Sequence, residues 1–235
     1  MANVLFSQID GNKNSFAVVD NRYTHRWYDA WGDVDKVVCD NEWNVDNFTV
    51  TATATSPITA SILPSAVALI TTAAADFAGD NIQATGSRFK FTAGQPCYFG
   101  AKITISDATQ SGLVVGLWGV DTTLMAASST HALAITAGGI GFTKLDAVTA
   151  MHFKSYRTTV EANTAAAQTM DVAAHVYEIY YDGTKVMGYI DNELIATFTE
   201  TLPNAVMTPS IEFRAGEAGA KTCTIHWMRA FQIRS

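Results

Sequence analysis

The chain has 235 residues, is 48% apolar and carries a formal net charge of −7. That length suits one large domain, or one domain with an appended arm. The acidic balance argues against a nucleic-acid partner, since phosphate binding needs a basic face. Three cysteines, Cys39, Cys97 and Cys223, are an odd number at wide spacings with no CxxC and no Cys/His cluster. They do not suggest a disulfide framework; Cys97 and Cys223 lie in alternating apolar stretches and are expected as buried free thiols, consistent with a reducing compartment during folding.

The first 45 residues read differently from the rest. Phe6, Phe16, Tyr23, Trp27, Tyr28, Trp31 and Trp43 are interleaved with Asn, Asp and Gly and follow no sustained period. Eight of the 22 acids fall within residues 1–50. A disordered tail would be poor in aromatics, so this segment is expected to order by packing. The surface is its own domain or, as the sharper expectation, a neighbouring subunit or another protein, because aromatics anchor interfaces. The division is an extended arm over 1–45 and a sandwich domain over 46–235. Met1-Ala2-Asn3-Val4 lacks the basic start of a secretory signal. Residues 47–75 carry no charge, but Pro57, Pro64 and ten Ser/Thr interrupt them, so no membrane span is expected.

From residue 48 onward alternation dominates. Phe48, Val50, Ala52 and Ala54 alternate with threonines, as suits a half-exposed strand. Further strands are predicted at 66–72, 89–91, 97–106, 113–118, 139–143, 151–157, 210–214 and 222–233. In the last, Cys223, Ile225, Trp227, Phe231 and Ile233 are expected to share one face. Residues 125–135 fit a short helix or a long loop equally. The stretch 174–199 holds three short apolar strands and two tight turns, which makes an antiparallel meander. Asp182-Gly183 is expected at the centre of a type I′ turn, with Asp191-Asn192 serving the next turn. No room remains for crossover helices. A dozen short strands without strong helical segments predict an all-β sandwich or barrel.

Chemistry-bearing patterns are sparse. Glu178 and Asp182 are four apart, but Asp182 belongs to a turn, and Glu212 is an isolated carboxylate between Ile211 and Phe213. No pair of carboxylates presents itself for retaining glycoside hydrolysis, which needs them about 5–5.5 Å apart. His25, His131, His152, His175 and His226 are scattered singly, and no nucleophile elbow exists. Asp29, Asp33, Asp35, Asp40, Glu42 and Asp46 form an acidic run without the spacing of a calcium loop, so a solvated surface is expected and no metal. Trp118, His152, Tyr156 and Arg157 are the residues able to supply an aromatic platform with polar groups for a glycan; the alternative is that they are ordinary sheet residues.

The pieces CYFGAKITISDATQSGLVVGLW, GGIGFTK, HVYEIYYDGTKVMGYIDNELIATF and PSIEFRAGEAGAKTCTIHWMRAFQIR resemble, in order and turn residues, a concanavalin-A-like (laminin-G-like) jelly roll. The resemblance covers about 60% of the chain and is closest to a subgroup among virion structural proteins of tailed bacteriophages. It implies a non-enzymatic protein decorating the outside of the head, made in the host cytoplasm, without cofactors. It further implies the major capsid protein as partner and a homotrimer on a threefold axis. On that reading Phe6, Phe16, Trp27, Tyr28, Trp31 and Trp43 would be capsid or subunit contacts. The alternative role is a carbohydrate-binding module of a tail or adhesion device, with a host-surface glycan as ligand. The long uncharged, small-residue stretches at 47–75 and 162–167 also favour oligomerisation.

Overall fold

The computed structural model describes residues 34–39, 48–54, 58–60, 68–86, 89–127 and 132–233. Fifteen strands are described: β1 (Val34–Cys39), β2 (Phe48–Thr53), β3 (Ile58–Ala60), β4 (Ala68–Thr71), β5 (Gly79–Ala84), β6 (Cys97–Ile105), β7 (Ser111–Trp118), β8 (Gly139–Lys144), β9 (Ala150–Arg157), β10 (Val160–Thr169), β11 (His175–Tyr181), β12 (Val186–Ile190), β13 (Glu193–Phe198), β14 (Thr208–Ala215) and β15 (Thr222–Ile233). They form two antiparallel sheets. One runs β13-β12-β11-β6-β15-β4-β3, with β1 added beside β15; the other runs β10-β9-β8-β7-β14-β5-β2. The two sheets stack as a sandwich, as the alternation predicts.

The core lies between the sheets. Phe99, Ile103, Tyr177, Ile179 and Ile225 from the eight-stranded sheet meet Val115, Leu117, Phe142, Phe153, Ile211 and Phe213 from the seven-stranded one. Phe142 packs with Phe153 at 4.8 Å and with Tyr177 at 5.4 Å between ring centroids. Offset aromatic contacts of this kind contribute beyond their buried area. Cys97 and Cys223 are buried and form no disulfide, as expected, and burial pushes the Cys223 thiol well above its ordinary value.

Residues 89–91, read as a strand, make only an isolated bridge between Phe89 and Met207, and the details depart from the sequence reading in four further places. First, β1 lies inside the stretch read as an arm. Its six residues pair antiparallel with β15, from Val34 opposite Ile233 to Cys39 opposite Met228. Residues 34–39 therefore belong to the sandwich's own sheet. Phe6, Phe16, Trp27, Tyr28, Trp31 and Trp43 lie outside the described residues.

Second, β15 does not alternate straight through. Ile225 faces Ile103 and Trp227 faces Lys102 on β6, so His226 is an extra residue in a bulge. A bulge flips the pattern. Cys223 and Ile225 join the core before it, and Met228 and Ala230 join after it. Trp227 and Phe231 thus fall on the outer face, where Phe231 stacks on Tyr98 and Arg229 lies 5.1 Å above the Trp227 ring.

Third, the type I′ turn sits at Asp191-Asn192, with φ of 50° and 70°, between the paired Ile190 and Glu193. Asp182-Gly183 belongs instead to a four-residue loop between Tyr181 and Val186. There the Asp182 Oδ1 accepts the backbone N–H groups of Thr184 and Lys185, each at 2.9 Å. This side-chain-capped turn places φ > 0 on Gly183 alone.

Fourth, β3, β5 and β10 were unmarked in the sequence. All of GDNIQA in β5 is buried, polar residues included, so no hydrophobic alternation betrays it. In the segment fitting a helix or a loop, the described flanks pair with each other instead, through Ala126 N–H to Ala132 O, Ala134 N–H to Leu124 O, and a bridge between Met125 and Leu133.

Candidate functional site

The outer face of the seven-stranded sheet carries the polar residues that the core cannot take. On β14 these are Thr208, Ser210, Glu212 and Arg214; on β5 they are Asn81 and Gln83; on β9 they are His152, Lys154 and Tyr156. Alternation puts them there, because their neighbours Ile211, Phe213, Ile82, Met151 and Phe153 face the core. The β14 quartet is nonetheless buried, Glu212 at 0% exposure.

The segment between β7 and β8 covers this face. Leu124, Met125 and Ile135 form a second apolar cluster with Val114 and Trp118, and Leu133 and Tyr156 pack at its margin. Polar groups beneath hold the cover down. Glu212 Oε2 accepts the backbone N–H of Leu124 and, at 3.2 Å, that of Met125. Glu212 Oε1 accepts from Thr123 Oγ1 at 3.3 Å and from Arg214 Nε at 2.5 Å. Arg214 also donates to Thr123 Oγ1 at 2.8 Å and to the Phe77 carbonyl at 3.2 Å. Gln83 and Asn81 grip the start of the segment through Gly119 O and Asp121 O, at 3.1 and 2.9 Å. Burial pushes the Glu212 carboxyl up, and Arg214 with the two backbone donors opposes that rise. The carboxylate is fully engaged as a structural staple.

Of the four residues expected to form a glycan platform, Trp118 and Tyr156 meet, edge to face at 6.1 Å. His152 shares the outer face of β9 but lies four residues from Tyr156, about 13 Å along the strand at ~3.4 Å per residue. Trp118 is 0% exposed beneath Leu124, Met125 and Ile135. It therefore does not offer the open ring that the platform requires. Its indole N–H and the Thr143 hydroxyl are buried without a hydrogen-bond partner. Arg157 stands apart, exposed at the end of β9. Tyr156 donates its hydroxyl to Glu161 Oε2 at 2.9 Å, and Lys154 Nζ reaches the same oxygen at 2.7 Å. Burial would raise the Glu161 carboxyl, but these two donors outweigh it and hold it low.

The sequence reading set Glu212 aside as isolated. The signal that marks it is the polar stripe Ser210, Glu212, Arg214 alternating with Ile211 and Phe213, which identifies a strand whose second face is also buried. Glu212 and Glu161 lie four strands apart in the sheet order, about 19 Å at ~4.8 Å per strand. That is far beyond the reach of a retaining carboxylate pair. Among the described residues no group of three His, Cys, Asp or Glu could hold a metal ion, and no helix is long and apolar enough to cross a membrane.

No family model and no curated protein sequence matches the chain. Solved structures do. The β-glucanase of Bacillus licheniformis superimposes with a TM-score of 0.61 at 9% identity, over 83% of this chain and 97% of that one. The endo-1,3-β-glucanase of Streptomyces sioyaensis gives 0.59 at 9% identity, over 86% and 98%. The metal-free carbohydrate recognition domain of Emp46p gives 0.52 at 10% identity, over 79% and 88%. At such identities the likeness concerns the fold alone: the chain is a concanavalin-A-like jelly-roll sandwich, of the architecture shared by these carbohydrate-binding and glucan-cleaving proteins.

Proposed function

We propose that this chain is a non-enzymatic structural protein, of the virion-surface type that its sequence resembles. The observation that carries the non-enzymatic reading is the cover over the outer face of the seven-stranded sheet. Glu212, the central carboxylate there, spends both oxygens on Arg214, Thr123 and two backbone N–H groups. A general acid or nucleophile needs access to substrate and a partner carboxylate nearby. The assignment to a phage head, with the major capsid protein as partner, rests on the sequence resemblance. The test is the copy number of this chain in purified particles, together with polysaccharide hydrolysis by the purified protein. Hundreds of copies and no hydrolysis agree with head decoration. A dozen or fewer copies would move the protein to the tail, and hydrolysis would overturn the non-enzymatic reading.

The second reading is a carbohydrate-binding module. Two buried donors, the Trp118 indole N–H and the Thr143 hydroxyl, lack partners on this face beside the half-exposed Lys154 and Tyr156. Glycan-array binding that is lost in Tyr156→Ala and Thr143→Val would favour it.

A further inference from the structure

We infer that the Lys144 ammonium occupies a cation site of the fold, at which the chain supplies from its own side chain the ion that ties three loops together. With the lysine head removed, the same site takes a free monovalent cation of potassium size. The site goes beyond the proposed role and does not depend on it.

Lys144 ends β8, where alternation sets it on the inner side of the sheet with Ile140 and Phe142. Its cross-strand neighbours Leu113 and Met151 are also core residues. The residue is 0% exposed, and a buried ammonium is costly unless its hydrogen bonds are made. Here all three donors are used, and all of them on backbone carbonyls. Nζ donates to Thr109 O at 3.3 Å, to Leu145 O at 3.1 Å and to Ser111 O. Burial lowers the Lys144 pKa to about 8, and Asp146 and Asp107 oppose that fall, so the head is charged at neutral pH.

The surroundings are shaped for a positive charge. The carbonyls come from the loop between β6 and β7, the first residue of β7 and the loop between β8 and β9. Asp107 Oδ1 accepts the N–H groups of Thr109 and Gln110, at 2.9 and 2.8 Å, and so holds the turn that presents the Thr109 carbonyl. Ala147 N–H anchors that same carbonyl at 3.1 Å. The third loop, between β14 and β15, enters through Gly216, whose N–H reaches Gln110 O at 3.1 Å. A Cβ on Gly216 would lie 1.7 Å from Asp146 Oδ1. That oxygen is buried without a hydrogen-bond partner, and the Lys144 head is the charge that offsets it. Backbone carbonyls replacing a hydration shell suit a potassium-sized ion, whereas calcium takes about six to eight oxygens, carboxylates prominent among them. Removing the lysine head leaves three carbonyls and the Asp146 carboxylate without their positive charge, and a monovalent cation restores it.

Thermal unfolding of the full chain in potassium chloride and in tetramethylammonium chloride, at equal ionic strength, tests the site, tetramethylammonium being too large to enter. Lys144→Ala should melt below the wild type in both salts, and about 2–4 °C higher in potassium than in tetramethylammonium. The wild type should show no difference between the salts. Nor should Lys144→Met, whose thioether chain fills the place of the lysine stem without a charge. In proton–nitrogen NMR spectra at mildly acidic pH, the wild type should show a slowly exchanging Nζ ammonium signal that Lys144→Met lacks. Folding of Lys144→Ala in potassium alone would be the same result in stronger form. An alanine variant that melts equally in both salts or folds in neither, an equal potassium shift in Lys144→Met, or a wild type without the protected ammonium would each overturn the proposal.

Discussion

His175 is the clearest case of one residue holding distant segments together. Its Nδ1 lies 2.6 Å from Asp191 Oδ2 and its Nε2 lies 2.9 Å from Asp171 Oδ1, so both ring nitrogens face carboxylates. Asp191 is the first residue of the type I′ turn and also accepts the Val176 N–H. The ring thus ties the loop before β11 to the turn after β12. Burial alone would lower its pKa, but the two carboxylates outweigh burial and raise it. A raised pKa stabilises the fold fully below the unfolded histidine value of about 6.5, and the benefit fades as pH rises through the folded value. Asp80 works in the same direction by another route. Burial lifts its carboxyl to about 7 against the opposing pull of Arg214, and both its oxygens lack a hydrogen-bond partner. The folded state then holds a proton that the unfolded state has released, so stability falls between about pH 4 and 7. The melting temperature should therefore be higher at pH 5 than at pH 8. Asp80→Asn should flatten the acid side of that profile and His175→Gln the neutral side; unchanged profiles would refute both assignments. A glycine supplies a purely steric counterpart. A Cβ on Gly141 would sit 2.4 Å from the Val115 carbonyl and 2.9 Å from Trp118 Nε1. Gly141→Ala should cost about 1–3 kcal/mol and perturb the near-ultraviolet circular dichroism of Trp118.

At the scale of elements, the covering segment after β7 separates this sandwich from one with an open face. Glu212→Ala would leave Arg214 buried without its carboxylate and strip two backbone donors, so a loss of about 3–5 kcal/mol is expected. Urea unfolding measures it, and a loss below about 1 kcal/mol would show that the staple is not structural. How far this was legible follows from which faces water touches. β6 and the β11–β13 meander alternate or carry turn residues, so their positions could be read from residues alone. β5 and β14 are covered on both sides, and there polar residues serve as internal hydrogen-bonding groups, which hides them from a hydrophobic count. Trp118 and Tyr156 do meet, but sequence does not reveal that Leu124 and Met125, more than five residues after Trp118, fold back over the indole. The bulge at His226 is equally silent. One extra residue reverses every later side chain of β15, and nothing in TIHWMRAF marks the spot.

At the scale of the whole molecule, β15 is the strand on which the eight-stranded sheet converges. Along one side it pairs with β6; along the other, Thr222–Ile225 pair with β4 and Met228–Ile233 pair with β1. Two short strands, one from before and one from within the uncharged stretch at 47–75, thus complete the flank of one twelve-residue strand. Chain closure of this kind joins residues nearly 200 positions apart, so its loss is felt globally. Two truncations distinguish an arm from a strand. Removing residues 1–33 keeps every described strand, whereas removing residues 1–45 also deletes β1 and bares the backbone groups of 228–233. At roughly 0.5–1.5 kcal/mol for each lost hydrogen bond, the second truncation should cost about 3 kcal/mol or more beyond the first. For a domain of this size that corresponds to a melting temperature lower by about 6–12 °C. The newly exposed edge should also make the shorter chain prone to aggregation. Differential scanning calorimetry of the two truncated chains decides the matter. Equal melting temperatures would return residues 34–39 to the arm and place the start of the sandwich at residue 46.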